Sequence, residues 1–231
     1  PVHVLALCAG QVPAAAAVAA RDTGELFAIA RDIISTACRW MRVAHRNRLA
    51  MISPNQVGGW CITYPGLDPG RVQAILDEFH AAQNIPTFHR LAIGVVSKSW
   101  LTLVGPSSTH RRLAEFSREI RQAPQGPSDA GVPAHAPFML GVDADAVIGN
   151  SPMLDRPLDW EKVVMVTPSG DCQPRQFGSL RELLCDIFDD ILLRTLLVDS
   201  TIESAVAQLD RNAVINVHEV GNTTHMPLIL K

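Results

Sequence analysis

The apolar positions of this chain fall into strand-length runs and helix-spaced sets, and each predicts an element. Val2 to Leu7 is a short apolar run, with His3 its one polar residue, long enough for one buried strand. Cys8, Ala9 and Gly10 follow, and after Pro13 comes Ala14 to Ala20, dominated by the strongest helix former. Strand, tight turn bearing a thiol, then helix is the layout of a nucleophile elbow, with Gly10 in the elbow turn. The helix N-terminus behind Cys8 would favour a thiolate and a developing oxyanion. The same pattern also fits a buried structural cysteine at a strand end, and on this stretch alone both readings stand.

Asp22 and Glu25 form a helix start, and apolar residues then recur at helical spacing through Leu26, Ile29, Ile33, Ala37, Trp40 and Ala44 to about Arg48. The other face carries Arg31, Arg39, Arg42, Arg46 and Arg48, which reads as a solvated face or as a docking patch for an acidic partner. A strand over Trp60–Tyr64, a turn at Pro65-Gly66 and a helix from Asp68-Pro69 to about Gln83 come next. Two strands follow, Arg90–Val96 and Trp100–Val104, then a helix over Thr109–Arg121 and a Pro/Gly-rich loop from 123 to 133. With a short last strand around Gly131–Ala134, this order is that of a ferredoxin-like βαββαβ unit. Beyond His135 the pattern returns to α/β. A helix starts near Asp143 and Asp145, and a strand spans Lys162–Thr167. A long helix with a Ser179/Glu182 capping box reaches about Leu197, a further helix covers Thr201–Asp210, and a strand covers Ala213–Val217. The chain thus divides into residues 1–57, an inserted small unit at 58–132, and the resumed large unit at 133–231.

Composition narrows the function classes. A net charge of −3 points to neither nucleic acid nor a membrane surface as partner. The longest uninterrupted apolar stretch, Val12–Ala20, is too short to span a bilayer, and no signal peptide is expected. The five cysteines (Cys8, Cys38, Cys61, Cys172, Cys185) include no C-x-x-C pair, so free thiols in a reducing compartment, the cytoplasm, are expected. No pair of histidines has metal-site spacing, and Asp143-Ala144-Asp145 reads as a helix cap rather than a calcium loop. A chain that opens on a core strand is expected to be a fragment of something longer.

The order of motifs resembles a known family. Cys8-Ala9-Gly10 with Pro13-Ala14-Ala15-Ala16 is similar to the nucleophile segment of starter-unit acyl carrier protein transacylase domains. These stand at the front of fungal non-reducing polyketide synthases, in the malonyl-CoA:carrier-protein transacylase superfamily. Ser97 to Ser108, through Trp100, Gly105 and Pro106, resembles a second segment of theirs. Pro133-Ala134-His135-Ala136-Pro137 resembles their Tyr-His-Ala-Pro-His, and Arg156-Pro157-Leu158 through Gly170 a later stretch. The chain departs from the family at Ala6, where glycine is usual, and at Ala134, where tyrosine is usual.

The resemblance implies an α/β-hydrolase-like large subdomain interrupted by a ferredoxin-like small one, with the N-terminal part of the large subdomain missing from this sequence. That part includes a strand and a glutamine that donates to the oxyanion. The resemblance also implies a cysteine nucleophile at Cys8, a general base at His135 and an oxyanion donor in the backbone N–H of Ala9, with no acid beyond them. A thiolate–imidazolium pair is expected. The acyl group would come from coenzyme A or a partner carrier protein, with a fatty acid synthase or another upstream synthase as source. It would pass to the phosphopantetheine thiol of a polyketide synthase acyl carrier protein, with no tightly bound cofactor and no metal. Malonyl-specific relatives pair the substrate carboxylate with an arginine, for which Arg39 is the nearest candidate, while starter-unit domains take uncharged acyl groups. The other readings are a cysteine-dependent α/β-hydrolase or thioesterase, and a catalytically weak remnant that binds a carrier protein. Arg111, Arg112, Arg118 and Arg121 form a second basic cluster that would suit an acidic carrier protein.

Overall fold

The computed structural model describes residues 2–51, 59–128, 134–138, 143–158, 163–166 and 176–210. The chain opens with β1 (Val2–Leu5), a 3₁₀ turn over Cys8–Gly10, α1 (Gln11–Ala19) and the long α2 (Thr23–Met51). There follow β2 (Cys61–Pro65), α3 (Pro69–Ala82), β3 (Ala92–Val96), β4 (Trp100–Val104), α4 (Ser107–Phe116), α5 (Arg118–Gln122) and β5 (Gly126–Ser128). The last stretch holds α6 (Ala144–Ile148), β6 (Val163–Val166), α7 (Leu180–Leu193), β7 (Leu196–Leu197) and α8 (Val198–Ala207). The architecture is α/β.

β1 and β6 pair in parallel, Val2 opposite Val163 and Leu5 opposite Val166. Around them α1, α2 and α7 close one hydrophobic core. Ala15 and Ala16 of α1 are buried in it, and such small side chains let neighbouring helices come close. From α7 come Leu180, Leu183, Leu184, Ile187 and Ile191, the i, i+3, i+4, i+7, i+11 stripe of a buried helix face. Ser179 accepts from the Glu182 N–H at 3.3 Å, and the Glu182 carboxylate reaches back to the Gly178 N–H at 2.8 Å, so the capping box forms one residue wider than its usual pattern.

A five-stranded sheet in the order β5-β2-β4-β3-β7 carries a second core. Tyr64, Leu101 and Leu103 pack there beneath Val72, Leu76 and Phe79 of α3 and Leu113 of α4. Asp68 caps α3, accepting from the Arg71 N–H at 2.7 Å. A smaller cluster of Trp60, Cys61, Val104 and Ala136, with Phe138 and Leu193 against it, joins this sheet to the end of α7.

Three elements differ from expectation. The helix expected over Thr109–Arg121 is two helices, because Ser117 is extended (φ −109°, ψ 116°) and its hydroxyl accepts from the Ile120 N–H, ending α4 and capping α5. Within the stretch 123–133 expected to be loop, Gly126–Ser128 form a strand antiparallel to β2 at the sheet edge, a position that tolerates Pro127, while residues 131–133 of the strand expected around Gly131–Ala134 lie outside the described residues. The long helix stops at Leu193 instead of Leu197, and Leu196–Leu197 become a strand parallel to β3. The strand expected over Ala213–Val217, Cys172, His218 and His225 lie outside the described residues.

Candidate active site

β1 delivers the chain to Leu7 in extended conformation, and the backbone turns at Cys8, whose φ of +51° is in the left-handed region. For a non-glycine residue this costs on the order of 1–3 kcal/mol and persists only where the surroundings enforce it. The Gly10 N–H donates to the Leu7 carbonyl at 3.0 Å and closes the turn. Gly10 itself is helical (φ −62°), with open space where a Cβ would stand. The left-handed residue of the turn is therefore the cysteine and not Gly10. The backbone N–H of Ala9 bonds the Cys8 sulfur.

His135 arrives from a different part of the chain and docks on the C-terminal end of α7. The last carbonyls of a helix have no partner within it. Here the His135 N–H donates to Ile191 O and the Ala136 N–H to Leu192 O, both at 2.7 Å. The His135 side chain takes the carbonyl before them, Nδ1 lying 3.1 Å from Asp190 O and 3.0 Å from Arg194 O. Carbonyl oxygens only accept, so Nδ1 carries the proton and Nε2 presents its lone pair. Nε2 lies 3.2 Å from Cys8 Sγ. His135 is 3% exposed and also holds a positive φ, +53°.

Burial dominates the electrostatics. It pushes the Cys8 thiol above its ordinary value, against the lowering effect of the Ala9 N–H. It holds the His135 imidazole below its ordinary value, against the raising effect of the carbonyls of Arg194 and Asp190. Both shifts favour the uncharged partners, a thiol donating to a neutral imidazole, instead of the thiolate–imidazolium pair expected.

The five-stranded sheet touches this pair through β3. A Cβ on Gly94 would lie 3.0 Å from His135 O and 2.6 Å from Val104 Cγ1, so only glycine lets β3 run this close to the histidine.

Residues 1–138 match the family "Starter unit:ACP transacylase in aflatoxin biosynthesis". The chain belongs to this family. A non-reducing polyketide synthase of Aspergillus ustus is 29% identical over 229 residues, 99% of this chain and 11% of the synthase. One of Menisporopsis theobromae is 31% identical over 221 residues, 96% of this chain and 10% of the synthase. The chain therefore spans about a tenth of the length of these relatives. The fold is similar to that of the malonyl CoA-acyl carrier protein transacylase from Burkholderia pseudomallei, with a TM-score of 0.67 at 16% identity, over 100% of this chain and 69% of that one.

Most of the other residues singled out in the sequence are engaged elsewhere in the fold. Arg39 donates from Nε to Val147 O and from one terminal nitrogen to Ile148 O, both at 2.6 Å, so it caps α6 instead of standing free for a substrate carboxylate. Gly149, at φ +82°, leaves room for that guanidinium, which a Cβ would approach to 2.9 Å. His110 is buried and its Nε2 lies 3.3 Å from Trp60 O. His80 accepts the Leu91 N–H at 3.2 Å. His45 and His89 are exposed and His3 is half-buried. Asp143 caps α6, accepting from the Ala146 N–H. Among the described residues no three acids, histidines or cysteines gather as a metal site, and no helix is long and apolar enough to cross a membrane.

Asp190 and Arg194 are the contributors that the sequence reading lacks. They act through main-chain oxygens, which have no side-chain signature. The available clue is an Asp and an Arg four residues apart at the end of an amphipathic helix.

Proposed function

We propose that this chain is a starter-unit acyltransferase that moves an acyl group from a thioester through acyl-Cys8 to the phosphopantetheine thiol of a polyketide synthase acyl carrier protein. The donor is acyl-CoA or a partner synthase's carrier protein. The observation that carries the reading is the 3.2 Å approach of His135 Nε2 to Cys8 Sγ, with Nδ1 held by two carbonyls.

In the first half-reaction the Cys8 S–H proton moves to Nε2 while sulfur bonds to the thioester carbon. The backbone N–H of Ala9, bonded to the sulfur in the resting pair, would exchange that partner for the developing oxyanion. The tetrahedral intermediate expels the CoA thiolate, which takes the proton back from Nε2, leaving acyl-Cys8 and neutral His135. In the second half-reaction the phosphopantetheine thiol gives its proton to Nε2 and its sulfur bonds to the acyl carbon. The Cys8–acyl bond breaks, and Cys8 recovers the proton. One base serves both halves and nothing is oxidised or reduced. The negative end of α7, whose carbonyls face Nδ1, favours the imidazolium that forms in passing.

Family membership and the transacylase-like fold support transfer over hydrolysis. We further propose that the large subdomain comprises residues 1–57 and 133–231 and that 58–132 form the ferredoxin-like insert. The four strands β5-β2-β4-β3, with α3 and α4 on one face, support that division, and β7 of the resumed large subdomain adds to the β3 edge of their sheet. The engagement of Arg39 at α6 supports an uncharged acyl group over malonyl.

Intact-mass analysis after mixing with a panel of acyl-CoAs tests the proposal. An adduct is expected that is absent from Cys8→Ala and that discharges onto an added phosphopantetheinylated carrier protein. His135→Ala should slow loading by about a hundredfold or more. An adduct that survives Cys8→Ala would refute the assignment, and discharge only to free acid would make the chain a hydrolase.

A further inference from the structure

We propose that the Arg194–Asp190 ion pair is a positioning device that holds the two carbonyls gripping His135 Nδ1. The proposal deepens the transferase reading and rests on it for its consequence in rate, though not for its consequence in imidazole geometry.

The two acceptors belong to residues one helical turn apart. In a continuing helix, Asp190 O would accept the N–H of Arg194. Here α7 ends at Leu193 and Arg194 is extended (φ −106°, ψ 140°), which frees Asp190 O and swings Arg194 O toward the same nitrogen. An extended residue after a helix has many directions open to it. What fixes this one is its own side chain, which folds back over the last two turns of α7. One terminal nitrogen donates to Asp190 Oδ1 at 2.6 Å and to Asp186 Oδ1 at 2.8 Å. Thus the residues that hold the imidazole by their main chains are tied to each other by their side chains. Asp190 is 2% exposed, and a carboxylate that deep keeps its charge only beside a cation, so the guanidinium is bound to this place. That one nitrogen is held in direction by the planar guanidinium, which the ammonium of lysine on a flexible stem does not reproduce.

Neither side chain is catalytic, since neither touches the reacting atoms. The two act through His135 by keeping its proton on Nδ1 and its Nε2 lone pair on Cys8. The groups facing the imidazole are then Cys8 from the elbow and the carbonyls of Asp190 and Arg194 from α7. The Asp186/Asp190/Arg194 cluster behind those carbonyls has a formal charge of −1.

The test uses the whole chain in three forms: Arg194→Lys, Arg194→Met, and Arg194→Met combined with Asp186→Asn and Asp190→Asn. The combined variant removes the cation together with both of its carboxylate partners, so no buried charge loses its counter-ion and the fold is kept when the single change does not keep it. Two readouts are taken. Nitrogen NMR of the His135 ring reports which nitrogen carries the proton, and loading kinetics with an acyl-CoA that charges the wild type separate kcat from KM. Wild type should show the Nδ1–H form. The folded combined variant should show a mixture of tautomers, with kcat lowered roughly ten- to a hundredfold and KM nearly unchanged. Arg194→Lys should fall between. A combined variant that melts earlier yet keeps the Nδ1–H form and the wild-type kcat overturns the proposal, because the pair would then be structural only. Wild type that holds Nδ1–H but loads no acyl group would refute the transferase reading and leave the clamp standing.

Discussion

At the scale of single residues, the Cys8–His135 contact makes a pH prediction that separates a neutral pair from an ion pair. Burial holds the imidazole below the ordinary histidine value of 6.5 and the thiol above the ordinary cysteine value of 9.0. Acyl loading needs a neutral imidazole and a thiol it can deprotonate. Its rate should therefore fall only as pH drops below 6.5, and stay level from there to beyond 9.0. Alkylation of Cys8 by iodoacetamide needs free thiolate and should climb about tenfold per pH unit up to the raised thiol value. An alkylation rate already level near pH 6 would show a standing thiolate–imidazolium pair and refute the neutral one. Both residues of this contact were nominated in the sequence, Cys8 as one of two readings of the strand–turn–helix pattern and His135 through the motif resemblance alone. The partners of Nδ1 were not, because any residue has a carbonyl and only the end of α7 decides which ones converge. Nor was the fate of Arg39 legible, since a helix wheel places it among solvated arginines and only the approach of α6 gives it carbonyls to bind.

At the scale of elements, β3 sets how closely the five-stranded sheet can lie against the His135 segment. An added methyl at Gly94 meets the His135 carbonyl and the Val104 side chain together, and neither is a flexible chain end that can swing away. Gly94→Ala should therefore push β3 and the His135 backbone apart. We expect a destabilisation of about 1–3 kcal/mol, as for overpacking, together with loading slowed by tenfold or more. Chemical denaturation and loading kinetics on one preparation check both; full loading in a destabilised protein would detach the sheet from the site. Most elements could be read from periodicity and caps, as with Asp68 for α3 and Ser179 for α7. The failures share a cause. The break at Ser117, the strand at Gly126–Ser128 and the stop at Leu193 all depend on partners distant in sequence or on a cap inside a continuous helical pattern. β7 is the clearest case. No proline or glycine interrupts the sequence from Leu193 to Leu197, yet the His135 segment takes the last carbonyls of α7 and β3 offers a free edge, so a strand forms.

At the scale of the whole molecule, several joints between elements are made by buried neutral histidines. His110 joins α4 to the residue before β2, His80 joins α3 to the approach of β3, and His135 joins its segment to α7. Burial lowers all three, His110 to about 4. A lowered folded-state value means that the unfolded chain binds protons first. The stability these histidines contribute is thus complete above the ordinary 6.5 and is lost as pH falls toward the folded values. For His110 alone the loss is about 1.4 kcal/mol per pH unit between 6.5 and about 4. Urea unfolding at intervals from pH 7.5 to 4.5 should show the midpoint falling throughout the acid half of that range. His110→Gln keeps a donor for Trp60 O but cannot titrate, so its curve should be shallower than wild type by that single-proton slope. Carboxylates titrate equally in both proteins, so the difference isolates the histidine. Parallel curves would mean that His110 is protonated in the folded state at pH 5, and that the joint between α4 and β2 tolerates a buried charge.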